Sequence, residues 1–249
     1  MARSLNKQRI REALPEPAAE RLRRTVHRMR RLRRPVRWGN LDRTRPFSDV
    51  YGAERGTPVD RVYIERFLTA HAADIRGTVL EVKDDAYTRT YGGDRVRVSE
   101  VVDADPENPE ATFIADLSAE DALPVGRYDC VICTQTLHLI ADVDTTLRNL
   151  YGALRPGGVL LLTAPFATKV EFTYEHAPDL WRFTPAGLRE TIRRAIGLEN
   201  VHVEHPGNLQ TLTAFLHGLA AEEVDQAAFL VDDPRFPVFN GVRIARHTA

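Results

Sequence analysis

The sequence predicts a doubly wound α/β domain built on a largely parallel sheet, with a basic helical extension near its amino terminus. Short, mostly apolar runs recur between residues 78 and 166, and runs of this length are typical of strands buried on both faces. Most of these runs end in polar residues, at the strand end where open α/β sheets bind their ligands. The chain has 249 residues of ordinary globular composition, which suits one such domain with additions.

Seven runs are predicted to be strands. The first five cover residues 79–82, 96–102, 111–115, 128–134 and 158–163. Two later runs, 201–204 and 239–247, complete the set, and a helical insertion is expected between them at 208–225.

Capping signals predict two helices that pack against the sheet. Thr57 precedes Pro58 and an apolar stripe, which predicts a helix from residue 59 to about 73 with Thr57 as its N-cap. Thr184 and Pro185 give the same signal for a later helix, with Thr184 as N-cap.

Charge is distributed unevenly along the chain. Residues 1–46 carry 15 Lys or Arg against 4 Asp or Glu, whereas the remainder carries 19 against 31. Within residues 21–37 an apolar stripe recurs at helical spacing among arginines, and Pro35 is expected to end that helix. The stripe consists of Leu22, Val26, Met29 and Leu32. We therefore predict an amino-terminal extension at 1–46 and a main domain at 47–249.

Three roles are open for the basic helix. Its apolar stripe can dock on the body of the protein or on a partner subunit, with the arginines solvated or paired with acidic residues. Basic amphipathic helices also bind anionic membrane surfaces. Nucleic-acid binding is the weakest alternative, because no recognised nucleic-acid-binding fold accompanies the helix.

The two cysteines, Cys130 and Cys133, predict buried thiols rather than a disulfide or a metal site. On an extended strand they would lie roughly 10 Å apart, which is too far for a disulfide. No further Cys-rich or His-rich cluster supplies metal ligands, so no metal is expected. Low cysteine content, the lack of a signal-peptide pattern and the lack of an apolar run of about 20 residues together predict a cytoplasmic protein.

Three segments carry a family resemblance. They read YDCVI at 128–132, LHLI at 137–140 and LRPGGVL at 154–160. In this order they resemble the class I S-adenosylmethionine-dependent methyltransferases, and in detail a bacterial branch found beside sugar-transfer and natural-product genes. The resemblance covers roughly residues 62–249. It implies a seven-stranded Rossmann-like sheet with an antiparallel last strand, S-adenosylmethionine as cofactor and a small-molecule methyl acceptor.

The loop after the first strand departs from the family pattern. The family has glycines here, so that backbone can approach the cofactor, but this chain continues from Glu81 as VKDDAY and has no glycine before Gly92. By the resemblance Glu81 is a cofactor-side residue, and Lys83 stands where the first motif glycine is expected. Lys83 either narrows the methionine pocket or offers its ammonium to a carboxylate. Asp84 and Asp85 are candidates for the cofactor's amino group, with a solvated charged turn as the alternative.

Carboxylates at the ends of the next two strands are further cofactor candidates. Asp103 or Asp105 comes about 20 residues after the first strand, where a carboxylate accepts hydrogen bonds from ribose hydroxyls. By the resemblance Asp116 faces the adenine amino group and Leu117 packs on the ring. A turn at Asp105-Pro106 and a cap from Asp116 to Ser118 are the structural alternatives.

The residues after the fourth strand lie, by the resemblance, beside the sulfonium. Thr134 and Gln135 are cofactor candidates. His138 is the best candidate for a general base, because its ordinary pKa is near 6.5. Alternatively, His138 is structural and supports the following helix. Methyl transfer mainly requires alignment of the reactants, so it does not depend on a general base.

The acceptor side is predicted from an aromatic loop at 172–184 and from the segment before the first strand. His176 is a second catalytic candidate, and Trp181 is alternatively a core residue. Thr57 and Arg61 are candidates to line the pocket, and the insertion containing His217 either covers the acceptor site or forms a homodimer surface. The predicted substrate-side residues are Tyr63, Tyr174, Trp181, Arg182 and His217.

Two functions follow from the resemblance. The first is methyl transfer from S-adenosylmethionine to an oxygen or nitrogen of a small molecule, such as a secondary metabolite or glycoside. The second is a methyltransferase-like protein with a degenerate cofactor loop, which catalyses a rearrangement or cyclisation or acts as a partner of a biosynthetic enzyme. Lys83 in place of glycine is the feature that discriminates between them.

Overall fold

A computed structural model describes residues 15–33, 37, 39–172 and 178–247 of the chain. The chain divides into two compact units, residues 1–44 and residues 45–249. The predicted site residues Tyr174 and His176, and the predicted helix terminator Pro35, lie outside the described residues.

Seven strands form a single sheet in the order β3-β2-β1-β4-β5-β7-β6. They are β1 Gly77–Val82, β2 Val96–Asp103, β3 Phe113–Ile114, β4 Tyr128–Thr134, β5 Leu154–Pro165, β6 Val203–Glu204 and β7 Phe239–Ala245. The pairs formed by β1 to β5 are parallel, and β7 runs antiparallel to both of its neighbours, β5 and β6. The predicted doubly wound, seven-stranded architecture with an antiparallel last strand is confirmed.

The edge strand β3 is shorter than its apolar run predicts. Only Phe113 and Ile114 pair with β2. Just before them, the Thr112 hydroxyl accepts a hydrogen bond from Val101 N at 2.6 Å and donates one to Val101 O at 2.7 Å, beside the main-chain bond from Thr112 N to Val101 O at 2.9 Å. A side chain thus takes the acceptor place that a main-chain carbonyl would have in regular pairing.

The Pro-Gly-Gly segment has a packing reason at the start of β5. A Cβ on Gly158 would lie 2.7 Å from Tyr128 O and 3.0 Å from Arg155 O. Gly157 has a φ of +79°, a conformation that strongly favours glycine. Both glycines also bond to Arg246 after β7, with Gly157 N donating to Arg246 O and Arg246 N donating to Gly158 O.

The described residues include five α-helices, of which the first belongs to the unit at residues 1–44 and the others to the unit at 45–249. They are α1 Glu16–Arg33, α2 Val59–Ala70, α3 Val143–Ala153, α4 Pro185–Ile196 and α5 Leu209–Leu216. The basic helix α1 begins five residues before the predicted segment. The prediction for Thr57 is wrong, because Pro58 occupies the N-cap position of α2 and the Thr57 hydroxyl donates instead to Glu222 Oε1 at 2.8 Å. Thr184 caps α4 as predicted and accepts from Gly187 N at 3.0 Å.

The unit containing α1 displays the predicted apolar stripe on its surface. Leu22, Val26, Met29 and Leu32 are all exposed, Leu32 to 72%. Glu20 and Arg24 form an ion pair one turn apart on this helix. Among the described helices, none combines the length and apolar content needed to cross a membrane.

Two apolar cores lie on opposite faces of the sheet. One face packs against α3 and α4 through Leu147, Leu150, Leu188 and Ile192. The other packs against α2 and α5 through Ile64, Phe67, Leu68, Leu212 and Phe215. Cys133 belongs to the first core and Cys130 to the second, and both thiols are free and buried, as predicted.

Candidate functional site

A cavity of about 480 Å³ lies at the carboxyl ends of the central strands, within the usual size range of small-molecule sites. It brings together eight of the residues singled out from the sequence, namely Arg61, Glu81, Lys83, Asp84, Asp103, Thr134, Gln135 and His138. It does not include Thr57, Tyr63, Asp105, Asp116, Leu117, Trp181, Arg182 or His217.

Glu81 binds the loop that follows β1. Its Oε2 accepts from Thr88 N at 2.7 Å and from the Thr88 hydroxyl at 2.6 Å, and its Oε1 accepts from Tyr87 N at 3.2 Å. Burial raises the pKa of the Glu81 carboxyl to about 7. Glu81 therefore shapes the loop and is close to half-protonated at neutral pH.

Lys83 adopts the backbone conformation of the glycine it replaces. Its φ is +80°, and strain of this kind in a residue with a side chain costs on the order of 1–2 kcal/mol. The backbone is held on both sides, since Lys83 N donates to Val102 O at 2.9 Å and Lys83 O accepts from Asn108 Nδ2 at 2.6 Å. Lys83 thus has a backbone conformation that favours glycine, and its side chain forms part of the cavity wall.

Backbone strain concentrates around this cavity. Four non-glycine residues in the described part of the chain have a positive φ, and three of them, Tyr51, Lys83 and Gln135, line it. Gln135 N donates to the main-chain and side-chain oxygens of Thr163, both at 3.1 Å, which holds its φ at +47°. Strained residues cluster at functional sites, so this distribution supports the cavity as the site.

The remainder of the β1 loop is short and irregular. Asp84 lines the cavity and accepts from Ala86 N at 2.9 Å. Asp85 is committed to structural bonds instead, because it accepts from the Ser99 hydroxyl at 3.0 Å and pairs with Arg89. A π-helical turn, Thr88–Gly92, follows the loop, and such turns occur often at functional sites.

Of the two alternatives after β2, Asp103 faces the cavity. Its Oδ2 accepts from Asn108 Nδ2 at 2.7 Å and its Oδ1 from Asp105 N at 3.1 Å. Asp105 forms the turn, accepting from Glu107 N at 2.9 Å.

After β3, Asp116 forms the other turn considered from the sequence. Its Oδ1 accepts from Ser118 N at 2.8 Å and from the Ser118 hydroxyl at 2.7 Å. Leu117 is buried in the core.

His138 lines the cavity with a half-buried side chain whose Nδ1 is buried. Its Nδ1 has no hydrogen-bond partner among the described residues. Burial lowers the pKa of His138 to about 4, so the ring is neutral at pH 7 and binds a proton weakly. Such a ring suits hydrogen bonding to a ligand better than storage of a proton during catalysis.

The other predicted acceptor-side residues have structural partners. The Tyr63 hydroxyl donates to the Thr211 hydroxyl at 3.1 Å inside the core. Arg182 pairs with Asp179, and His217 Nδ1 bonds to Thr213 O at 2.9 Å. Trp181 is 44% exposed and donates to Ile140 O at 2.9 Å, so the alternative that it is a core residue is wrong.

Sequence reasoning missed two features of the cavity. Asp60, on the first turn of α2, lines it with a buried Oδ1 that has no hydrogen-bond partner among the described residues. Tyr51, which no motif in the sequence singles out, stacks on Phe215 with ring centroids 5.7 Å apart, and both rings line the cavity. Asp60 lies between Thr57 and Arg61, which were both predicted to line the pocket, so its position in the sequence gave a signal, whereas no local pattern marks Tyr51.

The donor and acceptor groups of the cavity fit S-adenosylmethionine. Asp103 offers two carboxylate oxygens for ribose hydroxyls. Lys83 and Arg61 can bind a carboxylate, and Asp84 can bind an ammonium group, which together match the two charges of an amino acid moiety. The residues present therefore suit this cofactor despite the missing glycine.

Comparisons with known proteins show which proteins the chain resembles. Residues 51–160 match the family described as "Methyltransferase domain". A Thermotoga maritima protein described as an S-adenosylmethionine-dependent methyltransferase, possible histamine N-methyltransferase, has the same fold. Its TM-score is 0.52 at 16% identity, with 79% of this chain and 96% of that chain covered. An S-adenosylmethionine-dependent methyltransferase from Mesorhizobium loti aligns at a TM-score of 0.43 and 18% identity, over 76% of this chain and all of its own.

One curated relative shares a short segment with this chain. It is a highly reducing polyketide synthase of Aspergillus carbonarius, 37% identical over 59 residues, which is 24% of this chain. The chain spans about 2% of the length of that synthase.

Proposed function

We propose, from the premise that residues 51–160 carry a class I S-adenosylmethionine-dependent methyltransferase domain, that this chain transfers a methyl group to an oxygen or nitrogen of a small molecule. The family match bears out the resemblance seen in the sequence. The observation that carries the proposal is the cavity at the carboxyl ends of β1, β2 and β4, where cofactor-binding groups and unpartnered polar atoms meet.

The cofactor-binding roles follow from the chemistry of each group. Asp103 binds the ribose hydroxyls, Lys83 and Arg61 bind the carboxylate of the amino acid moiety, and Asp84 binds its ammonium. Glu81 acts by positioning, because its bonds to Thr88 and Tyr87 fix the loop that carries Lys83.

The remaining lining residues serve alignment of the acceptor. The bound cofactor supplies an electrophilic methyl group on a sulfonium. Thr134 and Gln135 follow β4 at the centre of the sheet, and the neutral ring of His138 offers a hydrogen bond to the acceptor. Holding two reactants in line supplies much of the catalysis in such transfers.

The acceptor is proposed to be a natural product or a glycoside. Support comes from the segment shared with the polyketide synthase and from the aromatic walls of the cavity.

The basic helix α1 stays a predicted contact surface for an anionic membrane or a partner protein, and a homodimer stays a prediction.

Calorimetric titration with S-adenosylmethionine and with S-adenosylhomocysteine tests the proposal. We expect both to bind the wild-type protein and Asp103→Asn to weaken both. Absence of binding for both compounds would instead favour the methyltransferase-like protein that has lost transfer.

A further inference from the structure

Asp60 is the least satisfied carboxylate in the cavity. Its Oδ1 is buried and has no hydrogen-bond partner among the described residues. Burial raises the pKa of Asp60. A buried acceptor atom without a partner costs on the order of 1–3 kcal/mol, and a ligand that donates a hydrogen bond to it would recover that cost.

The cavity as a whole carries an excess of acid. Five carboxylates line it, those of Asp60, Glu81, Asp84, Asp103 and Glu171, against two basic side chains, Arg61 and Lys83. Glu171 is balanced by Lys169, whose ammonium lies 2.6 Å from it. The net charge still favours ligands that carry positive charge.

The other carboxylates of the cavity have protein partners. Glu81 is bonded to Thr88, and Asp103 accepts from Asn108 at 2.7 Å. Asp84 accepts from Ala86 N at 2.9 Å and neighbours Lys83, which places it with the cofactor-binding loop. Asp60 comes instead from α2, outside that loop, and is available to a second ligand.

Aromatic rings form part of the wall of the same cavity. Tyr51 and Phe215 are stacked, and Phe239 lines the cavity with them. The Tyr51 ring already receives the Lys169 ammonium, 4.3 Å from its centroid, so Phe215 and Phe239 are the rings that can pack against the apolar body of an acceptor.

We propose that the acceptor is an amine and that Asp60 binds its nitrogen and takes its proton, an assignment that rests on the proposed methyl transfer. The ammonium form of the acceptor enters the acidic cavity and donates to the free Oδ1. Proton transfer to Asp60 leaves a neutral amine. The nitrogen lone pair then forms a bond to the methyl carbon, the carbon–sulfur bond breaks, and its electron pair stays on sulfur as a thioether. The methylated product carries the positive charge and loses a proton to solvent after release. The proton on Asp60 also passes to solvent, which restores the carboxylate for the next acceptor.

Benzylamine and benzyl alcohol, which share one carbon skeleton, are suitable probes. Each is titrated by calorimetry into wild-type protein saturated with S-adenosylhomocysteine. We expect benzylamine to bind about 10-fold or more tightly than benzyl alcohol, as a charge-assisted hydrogen bond requires. Equal affinity of the two, or no binding of benzylamine, would overturn the assignment without any variant being made.

Asp60→Asn keeps the shape of the side chain and removes its charge. It should weaken benzylamine binding about 10-fold or more and leave benzyl alcohol unchanged. Glu65→Gln is the matched control, because Glu65 is an exposed carboxylate on the same helix and does not line this cavity. Benzylamine affinity within about twofold of wild type in Asp60→Asn would refute the role of this carboxylate.

A second arm distinguishes the acceptor's ammonium from that of the cofactor. S-adenosylhomocysteine has an ammonium group, whereas 5′-methylthioadenosine lacks the amino acid moiety. If Asp60→Asn weakens the binding of S-adenosylhomocysteine but not that of 5′-methylthioadenosine, Asp60 binds the cofactor and the assignment is wrong. Asp60-dependent amine binding without any methylated product would instead refute the proposed methyl transfer and leave the amine site standing.

Discussion

Glu81 and His138 are expected to change the stability of the fold with pH in opposite directions. The Glu81 pKa is about 7 in the folded protein against 4.5 for an ordinary glutamate, so its contribution is fully present below pH 4.5 and is lost as pH rises to 7. The His138 pKa is about 4 against 6.5, so its contribution is present above pH 6.5 and is lost as pH falls to 4. Each shift corresponds to about 3 kcal/mol.

Between pH 4.5 and 6.5 the two effects should cancel in the wild-type protein. Each contributes a slope of about 1.4 kcal/mol per pH unit, with opposite sign. In Glu81→Gln only the His138 effect remains. The free energy of unfolding of this variant should therefore rise by about 3 kcal/mol between pH 4.5 and pH 6.5, relative to the change in wild type. His138→Gln leaves the Glu81 effect and should fall by a similar amount.

Urea unfolding at pH 4.5, 5.5 and 6.5 measures these slopes. The glutamine oxygen at position 81 can still accept both bonds from Thr88, so the fold should persist. Exposed ion pairs contribute equally to both variants and drop out of the comparison. Glu65→Gln should follow wild type. Parallel pH profiles for the two cavity variants would refute the reasoning, because they would show that burial does not shift these two groups.

Three further predictions concern the cavity and the sheet. Lys83→Gly should lower the affinity for S-adenosylmethionine about 10-fold, measured by calorimetry, because a charged partner of the cofactor is lost. The free energy of unfolding should change by less than about 1 kcal/mol, because the relief of backbone strain is offset by the greater freedom of glycine in the unfolded chain. A gain in affinity would show that the lysine blocks the pocket. Asp103→Asn should weaken S-adenosylhomocysteine about 10-fold or more and Asp105→Asn should leave it unchanged, because Asp103 alone of the two lines the cavity; equal losses in the two variants would contradict this. Gly158→Ala should lower the free energy of unfolding by about 1–3 kcal/mol, because the new Cβ would lie 2.7 Å from a backbone oxygen. The Cβ of Gly152→Ala meets nothing within 4 Å, so that variant should gain about 0.5–1 kcal/mol. Similar values for the two variants in chemical unfolding would be inconsistent with close packing at β5.

The sheet could be predicted because its signals are local. The run 128–134 is the whole of β4, and the antiparallel last strand followed from the family resemblance. The prediction failed at the edge, where β3 has only two residues and Val101 N donates to the Thr112 hydroxyl instead of to a main-chain carbonyl. It also failed at Thr57, whose hydroxyl bonds to Glu222, a residue 165 positions later that no local pattern connects to it.

The candidate site divides in the same way. Glu81, Asp103 and Gln135 could be found because the carboxyl ends of parallel strands meet at one edge of the sheet. Tyr51 could not, because its place depends on stacking against Phe215 in a distant helix. Asp60 could not be ranked from sequence, since only tertiary burial shows that one of its oxygens lacks a partner.

The two native thiols have a practical consequence for spectroscopy. Cys130 and Cys133 are sealed within the two cores, and burial raises the pKa of both, that of Cys133 to about 12. Maleimide dyes react with accessible thiolates, so neither native thiol should be labelled in the folded protein. A single cysteine introduced at the exposed Leu230 would then carry one fluorophore per molecule, with no need to remove either natural thiol.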